Sequence, residues 1–342
     1  MRAIAIDGYG LDHVKSVAVD APAPGSGEVT VAVEAAALNH LDLWTLSGSL
    51  NFPHRWPHIL GADAAGRIDA VGAGVTGLKP GAPVVVNPSI SCRRCEFCRA
   101  GEQSLCTTFQ MLGEHLPGTF AERVTVPATN VFPFADHLSF EEASALGVAF
   151  VTAYRMLFTR GRLKPGEWVL VTGIGGGLAL ALFQLARPVA GRIFVTSSSD
   201  AKIGRAIELG ADDAINYRQE DVGKAIRRLT GKRGVDLVVD SAGGGSIDSA
   251  LRSLCKGGRL VTAGATSGAR ADVDIRRVFW NQLEVIGSTM GSDRDVSNML
   301  RMVAGIRLRP VVDRVFELER GRDALECLES QQQLGKVVLK VS

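Results

Sequence analysis

The chain has 342 residues, of which 46% are hydrophobic and 22% charged, so it can bury a large core and should form about two domains. Its formal net charge of +2 excludes a strongly basic nucleic-acid binder and an acidic tail protein. The N-terminus lacks the apolar core of a signal peptide, and no apolar run approaches the roughly 20 residues of a membrane span. We therefore expect a cytoplasmic protein with neither a membrane nor nucleic acid as its partner.

The stretch from Arg2 to about Val131 combines short apolar runs with frequent glycine and proline turns, which is typical of a compact β-rich domain. Further on, Ser139 with Glu142 three residues later forms a capping box, so a helix should begin there and carry Ala143 to Leu146. The predicted strands before this helix are Ala3–Ile6, Val14–Val19, Val29–Ala36, Arg67–Val71, Val84–Val86 and Ala121–Val126.

Four of the six cysteines are crowded into this region in a C-x2-C-x2-C-x7-C arrangement, as Cys92, Cys95, Cys98 and Cys106. Four thiolates at this density match a tetrahedral zinc ion with no open coordination position. The alternatives are an iron–sulfur cluster, although ferredoxin spacings differ, and a nucleic-acid zinc module beside Arg93, Arg94 and Arg99, although no recognition helix follows. We predict one structural zinc ion per chain, in a lobe at residues 89–110.

Beyond the capping box, strands and helices alternate, which predicts a parallel, doubly wound sheet. The predicted strands are Trp168–Thr172, Ile193–Thr196, Ala214–Asn216, Val235–Asp240, Leu260–Ala263 and Leu283–Ile286. Helices are predicted at Leu178–Ala186, from Asp200 to Gly210, and at Val222–Leu229. The tail adds a helix in Val296–Ile306, the strand Val312–Phe316, a helix in Arg322–Ser330 and the strand Lys336–Lys340. The predicted fold class is α/β, with a β-rich domain at residues 1–147 and 290–342 and a dinucleotide-binding domain at 148–289.

A glycine turn joins the first strand of the second domain to its helix, through Gly173, Gly175, Gly176 and Gly177. A strand, a glycine turn and a helix let backbone N–H groups approach a pyrophosphate at the positive end of the helix dipole. A strict G-x-G-x-x-G motif would place Leu178 at the last glycine, whereas a turn one residue longer places Ala179 there. Such a turn can also be purely structural, so the prediction of a dinucleotide site depends on its context.

The four-cysteine lobe, the glycine turn and the inserted βαβ domain, in this order, resemble the medium-chain dehydrogenase/reductase superfamily. That superfamily contains the zinc alcohol dehydrogenases and the zinc-free quinone oxidoreductases, and the resemblance covers essentially the whole chain. It implies a GroES-like catalytic domain, a Rossmann domain, a nicotinamide cofactor and a homodimer or homotetramer. It also implies that the four-cysteine lobe is the family's structural zinc site.

The resemblance ends at the ligands of the catalytic zinc. The zinc alcohol dehydrogenases place a cysteine after their counterpart of Val29–Ala36, where this chain has Leu38-Asn39-His40-Leu41-Asp42. Their second ligand is the histidine of a Gly-His-Glu run, which here reads Gly61-Ala62-Asp63, and Leu146–Ala149 supplies no third ligand. We therefore expect no ordinary catalytic zinc. A metal site rebuilt from Asp63 with His40 or His58 is the alternative, and it would need new geometry as well as new ligands.

Four residues near these positions are candidates for the catalytic pocket: Asn39, Asp42, Trp44 and Asp63. Asn39 resembles the asparagine of a Leu-Asn run in the quinone oxidoreductases and could donate a hydrogen bond to the acceptor through its amide. Asp42 and Trp44 would line the pocket, and Asp63 would orient backbone. The structural alternatives are a turn asparagine, a helix-capping aspartate and a core tryptophan.

The second strand of the dinucleotide-binding domain ends in Ser197, Ser198 and Ser199. NAD-specific sites have an acidic residue at this position, which would repel a 2′-phosphate, whereas small hydroxyls accept one. Lys202, and Arg205 after it, add positive charge, and Tyr217 resembles a residue that contacts the adenosine phosphate in quinone oxidoreductases. Asp200 should be the N-cap of the next helix, and Lys202 is alternatively a solvated helix residue. We predict NADPH as the cofactor.

Four further residues fall at strand ends or at the predicted domain junction, where the nicotinamide half should bind: Thr152, Ser241, Gly264 and Ala265. The sequence thus predicts an NADPH-dependent oxidoreductase that transfers hydride to a small molecule, either a quinone or an α,β-unsaturated carbonyl. The alternatives are an alcohol dehydrogenase or aldehyde reductase of the same superfamily and a non-catalytic NADPH-binding protein.

Overall fold

The computed structural model describes residues 1–49, 53 and 55–342. The chain forms two compact units: Met1–Val151 together with Gly291–Ser342, and Thr152–Met290. These divisions lie close to the boundaries predicted after residues 147 and 289. No helix in the described part of the chain is both long enough and apolar enough to cross a bilayer.

Strands alternate with glycine and proline turns in the first unit and with helices in the second. In chain order the strands are β1 (Arg2–Ile6), β2 (Val14–Ala18), β3 (Glu28–Ala37), β4 (His58–Ile59), β5 (Ala64–Val71), β6 (Pro83–Val86), β7 (Ser89–Ile90), β8 (Gln110–Met111), β9 (Arg123–Pro127), β10 (Val131–Phe132), β11 (Trp168–Val171), β12 (Arg192–Ser197), β13 (Asp213–Asn216), β14 (Val235–Asp240), β15 (Leu254–Thr262), β16 (Glu284–Gly287), β17 (Val312–Glu317) and β18 (Lys336–Lys340).

The α-helices are α1 (His40–Ser47), α2 (Glu96–Arg99), α3 (Phe140–Ser144), α4 (Val151–Tyr154), α5 (Gly177–Ala186), α6 (Asp200–Glu208), α7 (Val222–Leu229), α8 (Ser246–Ser253), α9 (Ile275–Trp280), α10 (Asp293–Gly305) and α11 (Gly321–Glu329). Two π-helical segments, Leu146–Phe150 and Arg155–Arg160, flank α4. Short 3-10 turns lie at Leu11–His13, Gln103–Leu105, Ala128–Asn130 and Leu318–Arg320.

The first unit is built on a sheet in the order β10-β6-β5-β3-β18-β17, with β9 also paired to β3. A smaller sheet has the order β2-β1-β4. The large sheet is antiparallel except for the β17–β18 pair, so the tail of the chain contributes its last strand beside β3. Buried residues, including Val31, Ile68 and Leu339 on strands and Phe120 in the segment before β9, form the core of this unit.

The second unit is a parallel sheet in the order β13-β12-β11-β14-β15-β16. Its central strands are buried on both faces, because helices cover a doubly wound sheet on each side. The order reverses direction at β11, and the glycine turn follows that strand at its carboxyl end. This is where an open parallel sheet normally binds its ligand.

The α/β fold class and the two kinds of sheet agree with the sequence prediction. Five helices were not predicted: α1, α2, α4, α8 and α9. The capping box at Ser139 is present, but the helix after it continues past Leu146 as an irregular π-helical segment. Strand β15 begins at Leu254, well before the predicted Leu260, because Gly257 and Gly258 obscure its apolar pattern.

Candidate functional site

The four predicted zinc ligands lie together in one small lobe. Their Sγ atoms are all within 4.8 Å of one another, and those of Cys92 and Cys98 are 4.0 Å apart. A tetrahedral zinc ion with Zn–S bonds of about 2.3 Å would separate its sulfur ligands by about 3.8 Å. Backbone N–H groups of Cys98 and Thr107 lower the pKa of the Cys95 thiol to about 6, which favours the thiolate. The cluster fits a structural zinc site.

Strands β7 and β8 pair antiparallel and close the lobe at its base. Arg93, one of the arginines considered for nucleic-acid binding, instead binds within the unit. Its Nη1 donates to Asp293 Oδ2 at 2.7 Å, in the first turn of α10. The lobe is therefore linked to the tail segment of its own unit.

The glycine turn joins β11 to α5 as predicted, and Gly173 and Gly175 have φ values of 70° and 134°. A side chain at Gly175 would place its Cβ 2.7 Å from Lys202 Cδ, whereas a Cβ at Gly173 or Gly176 would meet no atom within 4 Å. The turn is held to β12 because Gly173 N–H donates to Thr196 Oγ1 at 3.0 Å. Open space beside backbone N–H groups at a helix N-terminus fits a pyrophosphate.

Leu178 and Ala179 both belong to α5, and Ala179 is buried while Leu178 is partly exposed. The small side chain at position 179 therefore faces the interior. This is the packing position that the longer version of the turn assigns to the final small residue.

The serine run after β12 separates into different roles. Ser199 is the N-cap of α6, since its Oγ accepts from Lys202 N–H at 3.4 Å, so the prediction of Asp200 as the cap was wrong. Ser197 is buried and accepts from Ser199 N–H at 3.3 Å, and its hydroxyl hydrogen has no acceptor among the residues described. Ser198 is partly exposed.

Asp200 and Lys202 have different surroundings. The Asp200 carboxylate accepts from Asn216 Nδ2 at 2.7 Å and from Gln219 Nε2 at 3.2 Å, so its charge is already solvated by two amides. The Lys202 stem lies against Gly175, and its Nζ would be 3.0 Å from a Cβ at that position. Lys202 is thus a half-buried residue beside the glycine turn and not a fully solvated one.

Other predicted cofactor residues are placed at neighbouring strand ends. Tyr217 is half exposed, and its backbone N–H donates to Ser197 O at 3.1 Å. Ser241 follows β14, and Gly264 and Ala265 follow β15 on the adjacent strand. A side chain at Gly264 would overlap with Ser241 O. Thr152 lies elsewhere in this unit, where its hydroxyl donates to Met290 Sδ at 3.5 Å.

Asp240, at the end of β14, is a site residue that the sequence reasoning missed. It is fully buried, and its Oδ1 accepts from Thr172 Oγ1 and Ser246 Oγ, both at 2.7 Å. Its Oδ2 accepts from Gly243 N–H at 2.7 Å. The carboxylate fixes the loops after β11 and β14, and its place at a strand end after an apolar run was the sequence feature that could have identified it.

In the first unit, Asn39 and Asp63 come together around a third residue, Lys336, that the sequence reasoning also missed. Lys336 Nζ donates to Asn39 Oδ1 at 2.6 Å and to Asp63 Oδ2 at 3.1 Å. The side chain of Lys336 is 4% exposed and that of Asp63 is fully buried. A lysine at the start of the apolar strand β18 was the available sign of a buried charge.

The Asn39 amide is oriented by this cluster. Its Nδ2 donates to Asp63 Oδ2 at 2.9 Å and to Ala37 O at 3.3 Å. Both amide hydrogens therefore have acceptors within the protein. A hydrogen bond from Asn39 to an acceptor substrate stays a prediction, and it would require one of these two bonds to be replaced.

Asp63 also connects to the stretch where the third zinc ligand would stand. Its Oδ1 accepts from Val148 N–H at 2.6 Å, and a Cβ at Gly147 would overlap with the same oxygen. Gly147 has a non-helical ψ of −106° inside the π-helical segment. Such segments often occur at functional sites, because they free backbone groups from the helix.

Asp42 and Trp44 lie on α1 beside the cluster. Asn39 N–H donates to Asp42 Oδ2 at 2.7 Å, so Asp42 does cap α1, while its Oδ1 is buried without a described partner. Burial raises the pKa of the Asp42 carboxyl to about 7. The Trp44 ring packs edge-on against His40, with centroids 5.0 Å apart.

The rebuilt metal site does not form in the described part of the chain. His58 is buried in β4 with its Nε2 3.0 Å from Gly113 O. Within those residues, the four cysteines are the one group of three or more His, Cys, Asp or Glu side chains arranged to hold a metal ion. Asp63 instead has the Lys336 ammonium as its cation.

Two family profiles match the chain. The alcohol dehydrogenase GroES-like domain matches residues 25–136, and the zinc-binding dehydrogenase domain matches residues 177–305. An alcohol dehydrogenase of Geobacillus stearothermophilus is 33% identical over 325 residues, covering 94% of this chain and 95% of that protein. An acryloyl-coenzyme A reductase of Metallosphaera sedula is 30% identical over 341 residues, covering 99% of each chain.

Solved structures extend the likeness over the whole length. An NAD-dependent alcohol dehydrogenase is 42% identical with a TM-score of 0.96, covering 100% of both chains. A crotonyl-CoA carboxylase/reductase in complex with NADP is 28% identical with a TM-score of 0.92, covering 100% of this chain and 95% of that one.

Proposed function

This chain belongs to the zinc-binding alcohol dehydrogenase family of the medium-chain dehydrogenase/reductases, and we propose that it is an NADPH-dependent reductase of quinones or α,β-unsaturated carbonyls that works without a catalytic zinc. Its class, an oxidoreductase of this superfamily, follows from the family. The finer proposal rests on one observation. At two of the stretches where the zinc alcohol dehydrogenases place catalytic ligands, this chain has the Asn39 amide and the Asp63 carboxylate, and both accept from the Lys336 ammonium.

The residue types at that position favour an activated acceptor. Reduction of a plain carbonyl, like oxidation of an alcohol, concentrates charge on one oxygen and usually needs a Lewis acid or a strong proton donor. Quinones and enones delocalise the charge into a phenolate or an enolate, which hydrogen bonds can stabilise. One relative is named an acryloyl-coenzyme A reductase, and acryloyl-coenzyme A is an α,β-unsaturated carbonyl compound. This name supports the proposal.

NADPH is supported by the end of β12. Among the described residues, the Ser197 hydroxyl hydrogen has no acceptor, Lys202 lies beside Gly175, and the Asp200 carboxylate is held by amide donors. These residues, with Tyr217, would hold the adenosine phosphate, and the N–H groups of the glycine turn would hold the pyrophosphate. When bound, the reduced nicotinamide supplies the hydride.

Zinc would have a structural role, held by Cys92, Cys95, Cys98 and Cys106. Four sulfurs this close repel one another as thiolates, so a bound cation would fix the loop between β7 and β8. It would cross-link the lobe and leave no open position for a substrate.

A second candidate function is alcohol oxidation or aldehyde reduction with NAD. It is favoured by the 42% identity to an NAD-dependent alcohol dehydrogenase over the full chain. In that case the Asn39–Asp63–Lys336 cluster would have to stabilise the negative charge of an alkoxide as well as that of an enolate.

A single screen tests these alternatives. The purified protein is incubated with NADPH or NADH and with matched quinones, free enones, enoyl thioesters, aldehydes and alcohols, and nicotinamide absorbance is followed. We expect faster turnover with NADPH and with the conjugated acceptors than with saturated aldehydes. Preferred alcohol oxidation with NAD would support the second candidate, and tight NADPH binding without turnover of any compound would support a non-catalytic protein.

A further inference from the structure

The cluster formed by Asn39, Asp63 and Lys336 draws together three separate stretches of the first unit. Asn39 precedes α1, Asp63 precedes β5, and Lys336 begins β18. A fourth stretch joins through the Val148 N–H bond to Asp63. The first two stretches and the fourth are those at which the zinc alcohol dehydrogenases place their catalytic ligands, so the chain brings the same elements together around an ammonium group.

Each acceptor oxygen on the side chains of this cluster has a donor. Asp63 Oδ2 accepts from Lys336 and Asn39, Asp63 Oδ1 accepts from Val148, and Asn39 Oδ1 accepts from Lys336. An ammonium group carries three N–H donors. Two of those on Lys336 are used, and the third has no acceptor in the part of the chain that the structure describes.

The three residues of the cluster differ in their exposure to solvent. Asp63 is fully buried, while Lys336 and Asn39 remain 4% and 8% exposed. Of the three residues, Asp63 is therefore the least accessible, and Lys336 and Asn39 are the two that keep some exposure. A charged donor in such a water-poor place is worth more than one in water.

Building on the proposed function, we propose that Lys336 is a catalytic residue that donates its third ammonium N–H to the carbonyl oxygen of the acceptor. Reduction of an enone forms a C–H bond at the β-carbon from hydride, moves the C=C electron pair toward the carbonyl and leaves negative charge on its oxygen until the α-carbon takes a proton from water. Lys336 stabilises that charge, and Asp63 and Asn39 position the ammonium. The internal ammonium thus takes the electrostatic role that a metal cation has in the zinc enzymes.

The test compares variants that distinguish loss of the Lys336 ammonium from loss of the folded structure. Lys336→Met removes the donor but leaves Asp63 buried without its cation, so it can fail to fold. The double variant Lys336→Met/Asp63→Asn removes both charges at nearly constant shape. Asp63→Asn alone keeps the ammonium, and Lys340→Met makes the same change at the exposed end of the same strand.

Steady-state kinetics with an enone and a saturated aldehyde, and NADPH affinity by fluorescence, are measured on each protein. We expect the double variant to bind NADPH as the wild type does and to lose about 10²–10³-fold in kcat, since this is the usual effect of removing one oxyanion donor. Any aldehyde turnover should fall further than enone turnover. Asp63→Asn should stay within about tenfold of the wild type, and Lys340→Met should be unchanged.

Three outcomes would overturn the inference. A double variant that keeps kcat within about threefold of an active wild type removes Lys336 from the reaction and leaves the proposed function standing. An equal loss in Asp63→Asn and the double variant assigns the effect to Asp63. A wild type that reduces none of the acceptors overturns the proposed function and this inference together.

Discussion

Asp42 is the residue whose ionisation depends most clearly on its surroundings. Burial raises the pKa of its carboxyl from 3.8 to about 7, Asp63 adds to the effect, and the N–H of Asn39 and the Lys336 ammonium oppose it. The pKa of the Asp42 carboxyl is thus higher in the folded state than in the unfolded state. Its protonated form therefore contributes its full stabilisation of the fold below about pH 4, and this contribution is lost as the pH rises through about 7.

Asp42→Asn should remove this dependence. The free energy of unfolding of the wild type should fall between about pH 4 and about pH 7 by up to about 4 kcal/mol more than that of the variant. Urea unfolding at several pH values measures both curves. Parallel curves for the two proteins would mean that Asp42 is ionised throughout.

Lys202 tests the choice between NADPH and NADH, and Arg205 on the same helix is its control. Lys202 lies beside the glycine turn, whereas Arg205 pairs with Glu208 at 2.7 Å on the exposed face of α6. Lys202→Met should weaken NADPH binding about tenfold with little effect on NADH, because it removes a cation from the phosphate position. Arg205→Met should leave both unchanged.

Fluorescence titration with the two nucleotides measures these affinities. Ser197→Asp should shift preference toward NADH further, since a carboxylate would repel the 2′-phosphate. Equal losses of NADPH and NADH affinity in Lys202→Met would place Lys202 on the pyrophosphate and remove the argument for a phosphate site.

Among the separate elements, local patterns predicted the strands longer than two residues and six of the eleven α-helices in the described part of the chain. The cysteine spacing, the glycine turn and the capping box at Ser139 are each determined by a few neighbouring residues, so the sequence alone was sufficient for them. Helices α1, α2, α4, α8 and α9 were missed because none is longer than eight residues, so the helical repeat of apolar positions has little length in which to show.

The central cluster could not be predicted in the same way. Lys336 and Asp63 are 273 positions apart, and no local pattern connects them. The sequence placed Asn39 and Asp63 in the pocket through the resemblance to known enzymes, but the bonds that occupy the Asn39 amide depend on a strand from the other end of the chain.

The π-helical segment after α3 is an element whose geometry depends on one glycine. In Gly147→Ala the new Cβ would overlap with Asp63 Oδ1, so the carboxylate must move and its bond from Val148 N–H must lengthen. We expect a loss of about 1–3 kcal/mol in the free energy of unfolding, measured with urea.

Gly204→Ala is the control, because a Cβ at this helical position meets no atom within 4 Å. It should be neutral or slightly stabilising, as expected for alanine in a helix. If Gly147→Ala unfolds with the same free energy as this control, the close approach of Asp63 does not require glycine at position 147 of the π-helical segment.

At the scale of the whole molecule, we propose that two copies associate through the edge of the second unit. Strand β16 is the last strand of its sheet, and beside it lies an apolar edge patch of Ile275, Phe279, Trp280 and Val285. Trp280 is 76% exposed, which is unusual for so large an apolar side chain. An open strand edge with an apolar patch is a typical site of association, and a symmetric pair would use the same patch on each copy.

Trp280→Glu and Val285→Lys should therefore convert the protein to a monomer, as measured by light scattering after gel filtration. Ile207→Glu is the control, since Ile207 is 44% exposed on α6 in the same unit, away from β16 in the sheet order. A wild type that is monomeric, or variants that keep the wild-type mass, would contradict this interface.

We propose that this protein reduces an activated acceptor without a catalytic zinc ion. The most direct measurement is the zinc content of the purified protein together with its enone reductase activity before and after mild chelation. We expect one zinc per chain, bound by the four cysteines, and a reductase rate that does not rise when more zinc is added. Two zinc ions per chain, with activity that follows the second, would contradict it.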